Sequence, residues 1–135
     1  MKPTLSFVAP IRVVGYQRAH AIGNRRIKPK ATRDCMARIK LFAQASKGAP
    51  VPAGHAVNVH IGLCYSNHTR PDIDNAVKTV LDALKGVAWV DDRQVTELTS
   101  VIIVGQSDSV SVSVYDLGEA YTPKKRKPAT ARGGE

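Results

Sequence analysis

The chain has 135 residues, 43% of them hydrophobic, which is enough for one domain with its own core. Its 20 Lys and Arg outnumber its 11 Asp and Glu, and the formal net charge of +9 favours a polyanionic partner. No segment has the apolar run of a secretory signal or of a membrane span, so we expect a soluble cytoplasmic protein. Cys35 and Cys64 lack C-x-x-C spacing and are expected to be reduced thiols.

The N-terminal part of the chain predicts an edge strand followed by a basic loop. Residues 4–14 are apolar and β-prone. Pro10 cannot donate to a ladder, so this segment is an edge strand or a strand that ends near Ala9. Residues 15–30 contain glycine, asparagine and proline, and they predict a loop that is either mobile or ordered by a ligand. The cations of this loop are Arg18, Arg25, Arg26, Lys28 and Lys30.

Helical and alternating periodicities organise the middle of the chain. Apolar residues at helical spacing predict a helix over 31–46, with Thr32 as its cap. Strict alternation of apolar residues over 55–65 predicts a strand with one buried face. The clearest helical pattern covers 75–85, and Gly86 ends it.

Two further strands are predicted over 95–104 and 109–115. The short connection between them, 105–108, predicts that they pair as an antiparallel hairpin. The order β-α-β-α-β-β indicates an α+β domain with two helices on one face of a mainly antiparallel or mixed sheet. We expect this domain to occupy residues 1–120, and the basic segment 121–135 to be a disordered tail.

The acidic residues are concentrated in one part of this basic chain. Residues 71–120 carry nine Asp or Glu and three Lys or Arg, whereas residues 1–70 carry one acid and twelve Lys or Arg. A carboxylate cluster repels a polyanion unless divalent cations fill it. A basic surface around such a cluster is therefore typical of a metal-dependent nuclease.

Two pairs of aspartates flank the second predicted helix. Asp72 and Asp74 stand at its start, where capping and the helix dipole would explain either residue alone. Asp91 and Asp92 follow the helix, and one of them can reach the upstream pair if residues 87–90 return along it. Three carboxylates brought together in this way would hold Mg²⁺, which prefers oxygen ligands and activates water for phosphodiester hydrolysis.

Lys78 lies four residues after Asp74 and four before Asp82, so these residues share one helix face. The lysine either forms a surface ladder with the two carboxylates or places its ammonium beside a scissile phosphate. The spacing leaves both interpretations open. A calcium-binding EF-hand loop is disfavoured, because Val77 and Ala83 stand where that motif needs Gly and Glu.

A long motif in the acidic part of the chain resembles the core of the RusA-type Holliday junction resolvases. Its ordered elements are D-x-D-N-x-x-K at 72–78, D-A-L at 82–84 and W-x-D-D-x-Q-V at 89–95. The resemblance is strong over 66–97 and collinear over most of 4–117. It implies a small homodimeric, Mg²⁺-dependent endodeoxyribonuclease of phage or prophage type, for which Mn²⁺ is a candidate substitute ion.

The resemblance also implies the roles of individual residues. The metal-binding carboxylates would be Asp72, Asp74 and Asp92. Lys78 would be the catalytic lysine, and Asp91 would be a secondary acid.

We expect a two-fold symmetric dimer to cut two symmetry-related strands of a four-way DNA junction, in DNA recombination and repair. Its phosphate-contacting residues would be Arg18, Arg25, Arg26, Lys28, Lys30 and Arg70. Two alternatives remain open. One is a DNA-binding module without catalysis, and the other is a nuclease that acts on flaps or other branched DNA.

Overall fold

The computed structural model describes the backbone of residues 1–16, 20–22, 25–27 and 29–119, and the side chains of 1–16 and 29–119. The expected basic tail, 121–135, lies outside these residues. No helix in the described part is long and apolar enough to cross a membrane.

Two helices and a four-stranded mixed sheet follow the predicted order, so the α+β class is confirmed. The helices are α1 (Lys30–Ala45) and α2 (Ile73–Leu84). The strands are β1 (Leu5–Ala9), β2 (His20–Ile22), β3 (Arg25–Ile27), β4 (Ala56–Tyr65), β5 (Val95–Val104) and β6 (Ser109–Gly118). A short 3₁₀ helix, Asp92–Gln94, leads into β5.

The predicted hairpin between β5 and β6 is wrong. The strand order is β1-β6-β4-β5, so β4 lies between them and pairs parallel with β5 and antiparallel with β6. The central place goes to the strand with the most complete apolar face, since every second residue of β4 from Val57 to Tyr65 is buried. β5, by contrast, has no fully buried residue.

The link between β5 and β6 passes over the end of β4. The Gly105 N–H donates to the Tyr65 carbonyl (2.8 Å), and the Ser66 N–H donates to Asp108 Oδ1 (2.9 Å). The Arg12 guanidinium also pairs with Asp108 (3.0 Å). These bonds hold the four-residue link across the end of β4. The length of the link alone favours a hairpin between β5 and β6.

The parallel pairing of β4 and β5 requires a crossover connection, and α2 provides it. The helix therefore starts near the C-terminal ends of both strands and ends near their N-terminal ends. Its buried face includes Val77, Val80 and Leu84, as the helical spacing predicted. Cys35, a residue of α1, is buried and Cys64 is half-buried, and both are free thiols.

Two local predictions in the N-terminal part need correction. Thr32 does not cap α1, because the helix begins at Lys30 with Pro29 at the N-cap, and Thr32 is buried in the first turn. The segment 15–30 was predicted to be a loop, but it contains an antiparallel hairpin of β2 and β3. Strands of three residues are too short to show a recognisable alternation of apolar and polar residues in the sequence.

The turn after α2 is held by the side chain of Gln94, which is buried and has all of its hydrogen bonds satisfied. Its Oε1 accepts from the N–H groups of Val90 (2.9 Å) and Asp91 (2.8 Å). Its Nε2 donates to the carbonyls of Pro52 (2.8 Å) and His55 (3.0 Å). One amide thus joins the turn before β5 to the segment that enters β4.

Replacing Gln94 by Leu is expected to lower the free energy of unfolding by about 2–3 kcal/mol, because it leaves buried backbone groups without partners. Urea denaturation followed by circular dichroism measures this change. The neighbouring exposed variant Arg93→Leu is the control and should change stability much less. Equal losses in the two variants would contradict the role given to Gln94.

Asp108 should make the fold sensitive to acid. The hydrogen bond from the Ser66 N–H, followed by those from Arg12, holds the pKa of Asp108 below its ordinary value of 3.8. A lowered pKa in the folded state stabilises the fold above pH 3.8, and this stabilisation is lost as the pH falls below that value. Asp108→Asn should therefore be less stable than wild type at pH 7, and the difference should shrink by pH 3 in urea denaturation at both pH values. A difference of the same size at both would contradict this assignment.

Candidate active site

An open cleft of about 440 Å³ lies between α2 and strand β5. The helix contributes charged side chains to it, and the strand contributes mainly apolar ones. The lining residues are Ile73, Asp74, Val77, Lys78, Leu81, Asp82, Asp92, Val95, Leu98 and Ser100. Three of the four predicted catalytic residues, Asp74, Lys78 and Asp92, thus border one cavity.

The upstream aspartates lie at the N-terminal end of α2. Asp72 occupies the N-cap position with an extended backbone, but its side chain makes no capping hydrogen bond. Asp74 lies in the first turn and borders the cleft. Both side chains are exposed. Capping therefore does not explain Asp72, although both carboxylates interact favourably with the helix dipole.

Lys78 contacts an aromatic ring instead of a carboxylate. Its Nζ lies 4.5 Å from the centre of the Tyr16 ring. In the part of the chain that the structure describes, no ion pair joins Lys78 to Asp74 or Asp82. The surface-ladder interpretation is therefore not supported. The face of the ring attracts a positive charge, so Tyr16 holds the ammonium in place.

The segment 13–16 is joined to α2 by its backbone, and this places the Tyr16 ring. The Tyr16 N–H donates to the Asn75 carbonyl (3.1 Å) in the first turn of the helix. One turn later, Thr79 Oγ1 donates to the Val14 carbonyl (2.9 Å). The chain that leads into the basic segment is thus fixed to the helix that carries Asp74 and Lys78.

A second set of contacts fixes the same segment to the sheet. The Tyr65 hydroxyl donates to the Val13 carbonyl (2.7 Å), and burial raises the pKa of Tyr65 to about 12, so it remains a donor. Arg12 lies over the Tyr65 ring (5.2 Å to its centre) and donates to the carbonyl of Thr69. Arg12 therefore positions the loop that precedes Asp72. Its guanidinium charge is paired within the protein with the Asp108 carboxylate.

Asp91 and Asp92 are adjacent but differ in their surroundings. Asp91 caps the 3₁₀ helix: its carboxylate accepts from the Arg93 N–H (2.9 Å) and pairs with the Arg93 guanidinium (3.1 Å). These hydrogen bonds hold the pKa of Asp91 below its ordinary value. Asp92 borders the cleft, and its Oδ1 accepts from Nε1 of the buried Trp89 (3.2 Å). Of the two, Asp92 presents its carboxylate to the cavity.

Asp92 reaches the cleft by a different path from the one assumed from the sequence. Residues 87–90 do not return along α2. Instead they turn at its end, where the Leu84 carbonyl accepts from the N–H groups of Val87 and Ala88. It is β5 that runs back along the helix. Asp92 therefore lies near the C-terminal end of α2, whereas Asp72 lies at the opposite end.

The carboxylates are consequently spread along the cleft. Asp74 and Asp82, on the helix, are separated by eight residues, or about 12 Å along the axis. Within the described residues, no group of three or more His, Cys, Asp and Glu side chains is arranged to hold a metal ion. One chain thus supplies carboxylates at both ends of the cleft, but not three at one point.

The donor chemistry nevertheless suits Mg²⁺. The cleft contains the carboxylates of Asp74, Asp82 and Asp92, and carboxylates provide the hard oxygen ligands that this ion prefers. Protein-bound Mg²⁺ commonly uses one or two carboxylates and completes its coordination with water and substrate phosphate. Asp72 and Asp74, two residues apart and both exposed, fit such a partial set.

The expected DNA-contacting residues are only partly described. Arg70 is exposed, and its guanidinium donates to the Pro71 carbonyl (3.0 Å). Lys30 is exposed and pairs with Asp34 (2.7 Å) on the first turn of α1. Four candidates have side chains outside the described residues: Arg18, Arg25, Arg26 and Lys28.

Sequence reasoning missed the structural roles of two residues at the site. Gln94 follows Asp91 by three positions, and this spacing is the signature of a capping box, which the structure contains. That signal was available in the sequence. Tyr16 has no such local signal, because its contact with Lys78 joins residues 62 positions apart.

A comparison with known proteins agrees with this picture. No curated protein matches the chain. A family model described as "Endodeoxyribonuclease RusA" matches residues 10–115, which include β4, α2, β5 and the whole cleft. The match covers most of the chain, and the protein therefore belongs to the RusA endodeoxyribonuclease family.

Proposed function

We propose that this protein is a Mg²⁺-dependent endonuclease that resolves four-way DNA junctions as a homodimer, in DNA recombination and repair. The observation that carries the proposal is the cleft, which Asp74, Lys78 and Asp92 all border within a chain of the RusA family. The cytoplasm of a bacterial host, and a phage or prophage origin, fit this activity. Mn²⁺ is expected to replace Mg²⁺.

Charge supports DNA as the substrate. The chain carries a net charge of +9, yet the cleft contains three aspartates and one lysine. The basic body attracts the phosphate backbone, and a bound cation removes the local repulsion at the cleft. Phosphate contacts position the DNA without reading its sequence, so binding should weaken steeply with salt.

Each residue has a defined task in this mechanism. Asp72 and Asp74 would hold the ion, and Asp92, which lies at the other end of the cleft, is the third carboxylate that the resemblance implies. When bound, Mg²⁺ supplies a polarised water and neutralises charge on the phosphate. Lys78 donates to a phosphate oxygen as negative charge grows there, and the Tyr16 ring keeps the ammonium directed. The water oxygen bonds to phosphorus, the bond from phosphorus to O3′ breaks, and the products are a 5′-phosphate and a 3′-hydroxyl.

Asp74→Asn is expected to lower the rate of junction cutting by at least about 10²-fold, because one ligand charge is lost at the ion. Junction binding should be unchanged or tighter, because repulsion of phosphate falls. A synthetic mobile junction, assayed with and without Mg²⁺, measures both quantities. Glu119→Gln makes the same charge change at an exposed residue just after β6 and serves as the control.

Each alternative function predicts a different outcome of this assay. If Asp74→Asn cuts at the wild-type rate with Mg²⁺, the catalytic assignment is wrong. If the wild-type protein binds junctions but never cuts them, it is a DNA-binding module. A comparison of junction, flap and linear duplex separates a junction resolvase from a nuclease for other branched DNA.

Lys78→Met should lower the cutting rate by about 10²-fold with little loss of junction affinity, because the ammonium acts mainly on charge that develops in the reaction. Tyr16→Leu should lower the rate less, and Tyr16→Phe should retain it because the ring remains. Single-turnover rates and binding constants separate the two effects. Lys85→Met, at the other end of α2, is the control, and an equal loss in that variant would contradict the role of Lys78.

A further inference from the structure

The loop that precedes Asp72 has little backbone support of its own. Among the described residues, the backbone of 67–71 makes no hydrogen bond with another backbone group. The Asp72 side chain makes no capping hydrogen bond either, so the helix does not fix its carboxylate. The position of Asp72 relative to Asp74 therefore depends on the side chains that hold this loop.

Arg12 is the main support of the loop. Its guanidinium donates to the Thr69 carbonyl and lies 3.5 Å from Asn67 Oδ1, which in turn accepts from the Thr69 N–H (3.0 Å). The same guanidinium pairs with Asp108 (3.0 Å) and lies over the Tyr65 ring. One side chain thus ties the loop to the end of the sheet.

Gly15 brings the N-terminal segment against the end of the same loop. A methyl group at position 15 would lie 3.0 Å from Pro71 Cβ and 3.7 Å from Asn75 Cβ. The next residue, Tyr16, is fixed by the bond from its N–H to the Asn75 carbonyl (3.1 Å). A side chain at position 15 would therefore push Pro71, the neighbour of Asp72, away from the segment that supports it.

We propose, on the basis of the function proposed above, that Arg12 and Gly15 are positioning residues of the metal site. They hold Asp72 where it can share a divalent ion with Asp74. A loop that is held in place before the ion arrives loses little freedom when the ion binds. Replacing a residue that orients a metal ligand typically weakens metal binding by about 10–100-fold.

Contact with DNA phosphate would be a different role for Arg12, and its surroundings fit that role less well. Only 35% of the side chain is exposed, and its donors already face Asp108 and the Thr69 carbonyl. The pairing with Asp108 also matters for the ion, because an unpaired cation beside the loop would repel a divalent cation. Arg12 can therefore hold the loop without opposing metal binding.

Metal binding tests the positioning role directly, with Mn²⁺ as the probe because its electron paramagnetic resonance signal falls when the ion is bound. Arg12→Met should weaken Mn²⁺ binding by about 10-fold, since the loop loses its main support. Gly15→Ala should change the affinity in the same direction, since Pro71 has to move. Asp74→Asn removes a ligand and identifies the binding that belongs to this site.

The chain offers a matched control for each variant. Arg38→Met removes an exposed arginine of α1 and makes the same charge change as Arg12→Met. Gly62→Ala adds a methyl group on β4, where the nearest atom is the hydroxyl of Ser111, which can rotate away. Both controls should bind Mn²⁺ with the wild-type affinity.

The Mg²⁺ dependence of junction cutting separates positioning from catalysis. In Arg12→Met, the Mg²⁺ concentration for half-maximal rate should rise about 10-fold, while the rate at saturating Mg²⁺ stays within about two-fold of wild type. Lys78→Met should instead cut slowly at every Mg²⁺ concentration. Junction affinity without divalent ions should be equal in Arg12→Met and Arg38→Met, and a larger loss in Arg12→Met would indicate direct contact with DNA and overturn the positioning role.

The outcomes for the positioning role and for the proposed function are distinct. Wild-type Mn²⁺ affinity in both Arg12→Met and Gly15→Ala would overturn the positioning role, even if wild type cuts junctions. Weaker Mn²⁺ binding in these variants, in a protein that never cuts, would support the positioning role and overturn the proposed function. A wild type that binds no more Mn²⁺ than Asp74→Asn would overturn both. Circular dichroism at the assay temperature shows which variants are folded, and Gly15→Ala decides if Arg12→Met is not.

Discussion

The parallel pairing of β4 and β5 is the constraint on which the site depends. Parallel neighbours cannot be joined by a tight turn, so the chain must cross over between them, and α2 is that crossover. The helix has to run opposite to both strands. The acids before it and the acids after it are therefore delivered to opposite ends of one cleft. The layout of the motif follows from strand direction more than from the distances between residues in the sequence.

The sequence predicted those elements whose pattern is long and local. The alternation in β4 and the helical spacing in α2 each extend over ten residues or more, and the structure contains both. Strand pairing was less predictable. The link 105–108 is short enough for a hairpin, but Asp108 binds Ser66 and Arg12 and carries the link over β4. Contacts between residues 42 or 96 positions apart leave no periodic signal in the sequence.

The same limit applies to the candidate site. The spacing of Asp74, Lys78 and Asp82 allowed two interpretations, because residues at this spacing can always pair on a helix face. The choice between them depends on Tyr16, which comes from another part of the chain and places its ring under the ammonium. Its position in turn depends on backbone hydrogen bonds to α2. Local spacing therefore identifies a candidate side chain, but only tertiary contacts decide what it faces.

The place of β5 beside the cleft explains why its sequence is mainly apolar. One face of the strand forms the apolar wall of the cleft through Val95 and Leu98. Carboxylates on this wall would compete with the substrate phosphate for the cation, so an apolar strand suits this side of the cleft.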